Sequence, residues 1–140
     1  MYNYLTAVMK VVVDTSAIIA VLLGEAHREA ILQHTEDVDL IAPGSLRWEI
    51  GKAFSAMFKR ERLGLETALE AAAHYRDIPI QFVEVELDEA IRLSNQQDIY
   101  AYDAYMLSVA KRHRAPLLTL DGGLKEAARQ TNVKLLEINS

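Results

Sequence analysis

The chain is expected to fold as one α/β domain, a three-layer sandwich around a central five-stranded parallel sheet, and three observations predict it. Val11, Val12 and Val13 form a β-branched apolar run without polar alternation, the pattern of a strand buried on both faces. Strand-like and helix-like segments alternate from there to the end of the chain, which places helices on the faces of a parallel sheet. With 140 residues and 51% hydrophobic composition, the chain has the size of one domain and ample side chains for its core.

Each element has its own local signal. The first strand ends at Asp14, Thr15 or Ser16 caps a short helix over residues 17–23 that runs into Gly24, and residues 27–34 continue helically. Residues 39–42 form the second strand. Pro43 and Gly44 mark a turn, Ser45 caps, and Leu46, Ile50, Ala53, Phe54 and Met57 fall on one stripe of the next helix. Gly64 breaks that helix, residues 66–77 form an alanine-rich helix, and Ile78 with Pro79 ends it. A third strand follows at 80–85. Asp88 caps a helix through Gln97, and Asp98 caps another through His113. Pro116 opens the fourth strand at 117–120, residues 124–130 form the last helix, and residues 133–138 form the fifth strand. The domain is expected to span 9–140, preceded by an extension over 1–8, with Met9 an alternative start.

Composition narrows the function classes. A net charge of −5 argues against a protein that grips nucleic acid by a broad basic face, unless clustered acids hold cations that reverse the local sign. Cysteine is absent, which excludes disulfides and thiolate metal sites and fits a cytoplasmic protein. Asp14 interrupts the most apolar stretch, so no window reaches the roughly 18 residues a membrane helix needs. Residues 1–9 carry no basic residue ahead of an apolar run and do not read as a signal peptide.

The informative residues are acids. In open α/β sheets ligands bind beyond the carboxyl ends of strands, and Asp14 and Asp121 directly follow the first and fourth strands. Asp103 shares the stripe of Met106, Leu107 and Ala110 near a helix start, where the helix dipole offsets part of its charge. Glu49 flanks the stripe of Leu46 and Ala53 in the same way. Singly, each has an ordinary explanation as a cap, a first-turn acid or a surface partner of Arg47 or Lys52. Jointly they do not, because two unit charges about 4 Å apart repel by about 4 kcal/mol at an effective dielectric near 20. Hard oxygen ligands in this number suit Mg²⁺ or Mn²⁺. Thr119, two residues before Asp121, leans to the same strand face.

Four short stretches carry a family resemblance: Val-Asp-Thr-Ser-Ala at 13–17, Trp-Glu-Ile at 48–50, Tyr-Asp-Ala-Tyr at 102–105 and Thr-Leu-Asp at 119–121. In order and spacing they resemble the PIN domain and, more narrowly, the VapC-type toxins of bacterial and archaeal toxin–antitoxin pairs, over about residues 9 to 138. The resemblance implies a five-stranded parallel sheet and an Mg²⁺- or Mn²⁺-dependent endoribonuclease. It also implies a homodimer inhibited by a small cognate antitoxin protein. By position, Asp14, Glu49, Asp103 and Asp121 match the family's four metal-site acids, and Ser16 and Thr119 match hydroxyls that assist there. Gly122 and Gly123 depart from the charged or larger residues often found after the last acid, which bears on the loop at Asp121.

The remaining candidates read more plainly. Carboxylate-held cations would activate water without a histidine base, and His27, His34, His74 and His113 show no ligand-like pairing. Asp98 reads as a helix cap rather than a fifth acid. Lys59, Arg60 and Arg62, like Lys111, Arg112 and Arg114, sit at helix C-terminal ends, where cations complement the dipole. Trp48, Tyr100, Tyr102 and Tyr105 favour core packing or an interface over RNA stacking. The alternative function is a non-catalytic PIN-like scaffold for protein binding. A phosphohydrolase with an aspartate nucleophile would need a second Asp where Ser16 stands, and there is no Gly-rich phosphate loop or Ser-His-Asp arrangement.

Overall fold

Val11, Val12 and Val13 are at most 1% exposed and form the interior of strand β1 (Lys10–Val13), so the unbroken apolar run does mark a strand covered on both faces. The computed structural model describes residues 8–138. β1 is flanked by β2 (Asp39–Pro43) and β4 (Leu117–Leu118), and β3 (Ile80–Val83) lies outside β2, giving the order β3-β2-β1-β4 with every pairing parallel. The helices are α1 (Thr15–Leu22), α2 (Arg28–His34), α3 (Leu46–Lys59), α4 (Leu65–Arg76), α5 (Leu87–Gln97), α6 (Ala101–His113) and α7 (Gly122–Gln130). α6 packs on β1, β2 and β4, while α1 packs against α2, α3 and α4. Among the described residues no helix is long and apolar enough to cross a membrane. Of the expected N-terminal extension only Val8 is described; residues 1–7 lie outside the described residues, as do 139 and 140.

The sheet has four strands where five were expected. The chain at 133–138 meets β4 through one parallel bridge, Leu117 to Leu135, in which Leu117 N–H donates to Lys134 O at 2.8 Å and Leu136 N–H donates to Leu117 O at 2.9 Å. The ladder stops because β4 is only two residues long. Beyond Leu118 the backbone is committed elsewhere: Leu120 N–H donates to Ser16 Oγ at 2.8 Å and Asp121 N–H donates to Thr119 Oγ1 at 3.0 Å. β3 likewise ends at Val83 rather than Val85, because its partner β2 ends at Pro43.

Helix starts also differ from expectation. Asp14, not Thr15 or Ser16, is the N-cap of α1, and its side chain accepts from Ser16 N–H. Asp88 lies inside the first turn of α5, which begins after Glu86 without a side-chain cap. Asp98 closes α5 in a left-handed conformation (φ 53°), and Tyr100 precedes α6. Ser45 precedes α3 in a helical conformation, with no capping hydrogen bond from its side chain.

Candidate active site

The order β3-β2-β1-β4 reverses direction between β1 and β4: chain growth runs outward from β1 to β3, then returns to the other side of β1. Such a reversal opens a crevice beyond the strands' carboxyl ends. Asp14 leaves β1 at that point and Asp121 leaves the β4 segment beside it. Asp14 is 5% exposed. Its Oδ2 accepts from Thr119 Oγ1 at 2.7 Å and from Ser16 Oγ at 2.8 Å, with Ser16 N–H at 3.4 Å. Both hydroxyl protons are thereby spent on one carboxylate oxygen, and Oδ1 accepts no hydrogen bond among the described residues. Ser16 and Thr119 thus fix the Asp14 rotamer and tie the ends of two strands together.

Glu49, in the first turn of α3, is held by two hydroxyls. Thr15 Oγ1 donates to its Oε1 and Ser45 Oγ donates to its Oε2, each at 3.2 Å. Burial, and then the charge of Asp14, push its carboxyl up from an ordinary 4.5 to about 7, against the two hydroxyls and with a smaller push from Asp103. Asp103, in the first turn of α6, is pushed up from 3.8 to about 6 by burial and then by Asp14 and Asp121, while Lys52 opposes the shift. These electrostatic couplings link all four acids from four separate segments. Asp121 also caps α7, its Oδ2 accepting from Leu124 N–H at 2.9 Å. Gly122 and Gly123 therefore begin a helix rather than a loop, and a side-chain carbon at Gly123 would sit 3.6 Å from Asp121 Oδ2, an ordinary contact.

The donor set suits a hard divalent cation, since it offers carboxylates and hydroxyls with no thiolate or imidazole. The carboxylates line a rim and do not form a closed cage: among the described residues no three His, Cys, Asp or Glu side chains converge closely enough to grip one ion. An open rim matches an ion that keeps several of its waters.

Sequence reasoning missed Thr15 and Ser45 as partners of Glu49, and it considered Lys52 only as an alternative surface partner of Glu49, whereas its charge acts on Asp103. Ser45 had a local signal, four residues before Glu49 on the same helical face. Thr15 had none, because it meets Glu49 only through the packing of α1 on α3. Asp98 is exposed and perturbs neither raised acid. His34 Nδ1 contacts Ala30 O at 2.8 Å, and among the described residues His27 Nδ1 is buried without a hydrogen-bond partner; neither histidine perturbs Glu49 or Asp103.

The PIN domain family model matches residues 11–130, and the chain belongs to that family. A search of curated proteins found no match. Among solved structures, PAE2754 from Pyrobaculum aerophilum is 21% identical, with 85% of this chain and 79% of that one covered at a TM-score of 0.66. VapC20 of Mycobacterium tuberculosis, described as a sarcin-ricin loop cleaving toxin, is 18% identical over 84% and 94% of the two chains, with a TM-score of 0.61. VapBC2 from Rickettsia felis, solved with a DNA fragment from its promoter, is 13% identical over 94% and 100%, with a TM-score of 0.66. These likenesses establish the shared fold.

Proposed function

We propose that the chain is an Mg²⁺- or Mn²⁺-dependent endoribonuclease, the toxin of a toxin–antitoxin pair, with Asp14, Glu49, Asp103 and Asp121 as its acidic site. One observation carries the reading: acids from four separate segments line one rim at the topological switch point, where burial first and then the charges of neighbouring acids raise Glu49 to about 7 and Asp103 to about 6. Burying carboxylates beside one another costs the fold stability, and a bound cation would offset that cost. Membership of the PIN domain family and the likeness to VapC20 and VapBC2 support the same direction.

Asp14 and Asp103 would hold the cation, with Glu49 and Asp121 as further ligands or as groups that orient its waters. A bound divalent ion supplies a water of lowered pKa and neutralises charge on the leaving oxygen. Ser16 and Thr119 occupy Asp14 Oδ2, so Oδ1 is the oxygen turned to ligand duty. Thr15 and Ser45 aim the Glu49 carboxylate, which can accept a proton from a neighbouring water at Oε1 or Oε2. A cognate antitoxin and a second copy of the chain are the expected protein partners, and the cytoplasm the expected compartment.

The test is cleavage of labelled RNA with and without Mg²⁺ or Mn²⁺, comparing wild type with Asp14→Asn and Asp103→Asn. The expected result is cation-dependent cleavage that falls by about 100-fold or more in each variant, the scale of losing one preorganised electrostatic group. Cleavage that survives in both variants overturns the site. A wild type that binds an antitoxin but never cuts RNA supports the scaffold instead.

A further inference from the structure

Two cations of α3, Arg47 and Lys52, lie close to Glu49 in sequence. Neither Arg47 nor Lys52 takes part in an ion pair among the described residues. Arg47, two residues before Glu49, places its guanidinium carbon 5.0 Å from the centre of the Trp48 ring and 5.5 Å from that of Phe82 on β3. Lys52, three residues after Glu49, places Nζ 5.5 Å from the Tyr102 ring. Lys52 acts on Asp103 at the acid rim, while Arg47, on another face of α3, rests on aromatic surface that Phe82 shares with a neighbouring groove. The rings are not spent on the core, since Trp48 is 63% and Phe82 41% exposed. A groove of about 450 Å³, lined by Phe82, Glu84, Leu87 and Ser45, leads from Phe82 to the hydroxyl that holds Glu49.

We propose that Arg47, Trp48 and Phe82 form a stacking platform for a base of single-stranded RNA next to the bond that is cut, with Arg47 and Lys52 meeting its phosphates. The proposal rests on RNA being the substrate. Exposed rings bind bases of any sequence through their π faces, and guanidinium groups both stack and pair with phosphate. Bases in a duplex are already stacked and paired, so the platform selects unpaired RNA. Charge complementarity favours RNA over a protein contact: in a chain of net charge −5 the acid rim repels phosphate, Lys52 offsets part of the charge on Asp103, and Arg47 makes no ion pair among the described residues, so both cations act against that repulsion. Glu84 in the groove wall leaves the α3 side as the path for the backbone.

Trp48 is the sole tryptophan, so its emission reports the platform alone. The full chain is titrated with a mixed-sequence single-stranded RNA oligonucleotide in Ca²⁺ and in chelator. Binding is followed by anisotropy of a labelled oligonucleotide and, separately, by Trp48 emission with unlabelled RNA. The expected result is saturable emission quenching with the same midpoint as the anisotropy, and an affinity that falls with salt. Arg47→Ala, Phe82→Ala and Trp48→Ala each weaken binding by roughly 10-fold or more, as for losing a base–ring stack, while Trp48→Phe keeps it. Circular dichroism confirms that the variants are folded. If anisotropy saturates while Trp48 emission is unmoved and the alanine variants bind like wild type, the platform is not on the RNA path and the inference fails; this surface then belongs to a protein contact. If anisotropy shows no RNA binding in either buffer, the RNA reading itself fails and takes the platform with it.

Discussion

Glu49 and Asp103 carry the electrostatic signature of the site, and it has a direct thermodynamic consequence. Their carboxyls are raised in the folded chain, to about 7 and about 6, so between their ordinary values and these the native state binds more protons than the unfolded state. Stability must then fall as pH rises through that window. In chelator, the melting temperature of wild type should fall from about pH 4 to 7.5 relative to the Glu49→Gln, Asp103→Asn double variant; parallel curves would show that these acids are not raised. Thr119 should matter in the other sense, because its buried hydroxyl donates to Asp14 Oδ2 at 2.7 Å. Thr119→Val should cost about 1.5 to 3 kcal/mol in urea unfolding, the range for a hydrogen bond to a charged group. An unchanged midpoint would refute that bond's importance. At this scale the acids were legible because two follow strands and two sit at helix starts beside apolar stripes. The hydroxyl pairing of Glu49 was not, since Thr15 is 34 residues away in sequence.

Among the elements, α7 separates two roles of one residue. Asp121 both caps the helix through Leu124 N–H and faces the charge of Asp103. Asparagine caps about as well as aspartate, so Asp121→Asn should leave stability within about 0.5 kcal/mol, whereas Asp121→Ala should lose about 1 kcal/mol. Both should lower cation affinity. If Asp121→Asn binds cation as wild type does, Asp121 is a cap alone. The strand errors have the same origin. Apolar runs show where extended chain lies but not which backbone groups a side chain will claim, and at Leu120 and Asp121 the hydroxyls of Ser16 and Thr119 claim them. The lost fifth strand follows from that shortened β4. Helix positions were read well from periodicity, while caps were displaced by one or two residues, the usual uncertainty where several polar residues compete for one turn.

Over the whole molecule, the parallel α/β architecture was visible because its central strand is apolar on both faces and its elements alternate, two signals set by burial rather than by any single contact. The site followed from topology: parallel strands bring Asp14 and Asp121 to one rim, and helices packed on them return Glu49 and Asp103 to it. What sequence did not reveal was the open geometry of the rim, which depends on side-chain rotamers. A homodimer should appear in sedimentation as twice the chain mass, and a monomer at micromolar concentration would remove that proposal. The central claim is that the four acids form one cation site, and calorimetric titration of Mn²⁺ into wild type, Asp14→Asn and Asp103→Asn tests it most directly. Saturable binding in wild type, weakened by about 10-fold or more in both variants, is the predicted result. Equal binding by all three, or none by wild type even with a short RNA present, would contradict it.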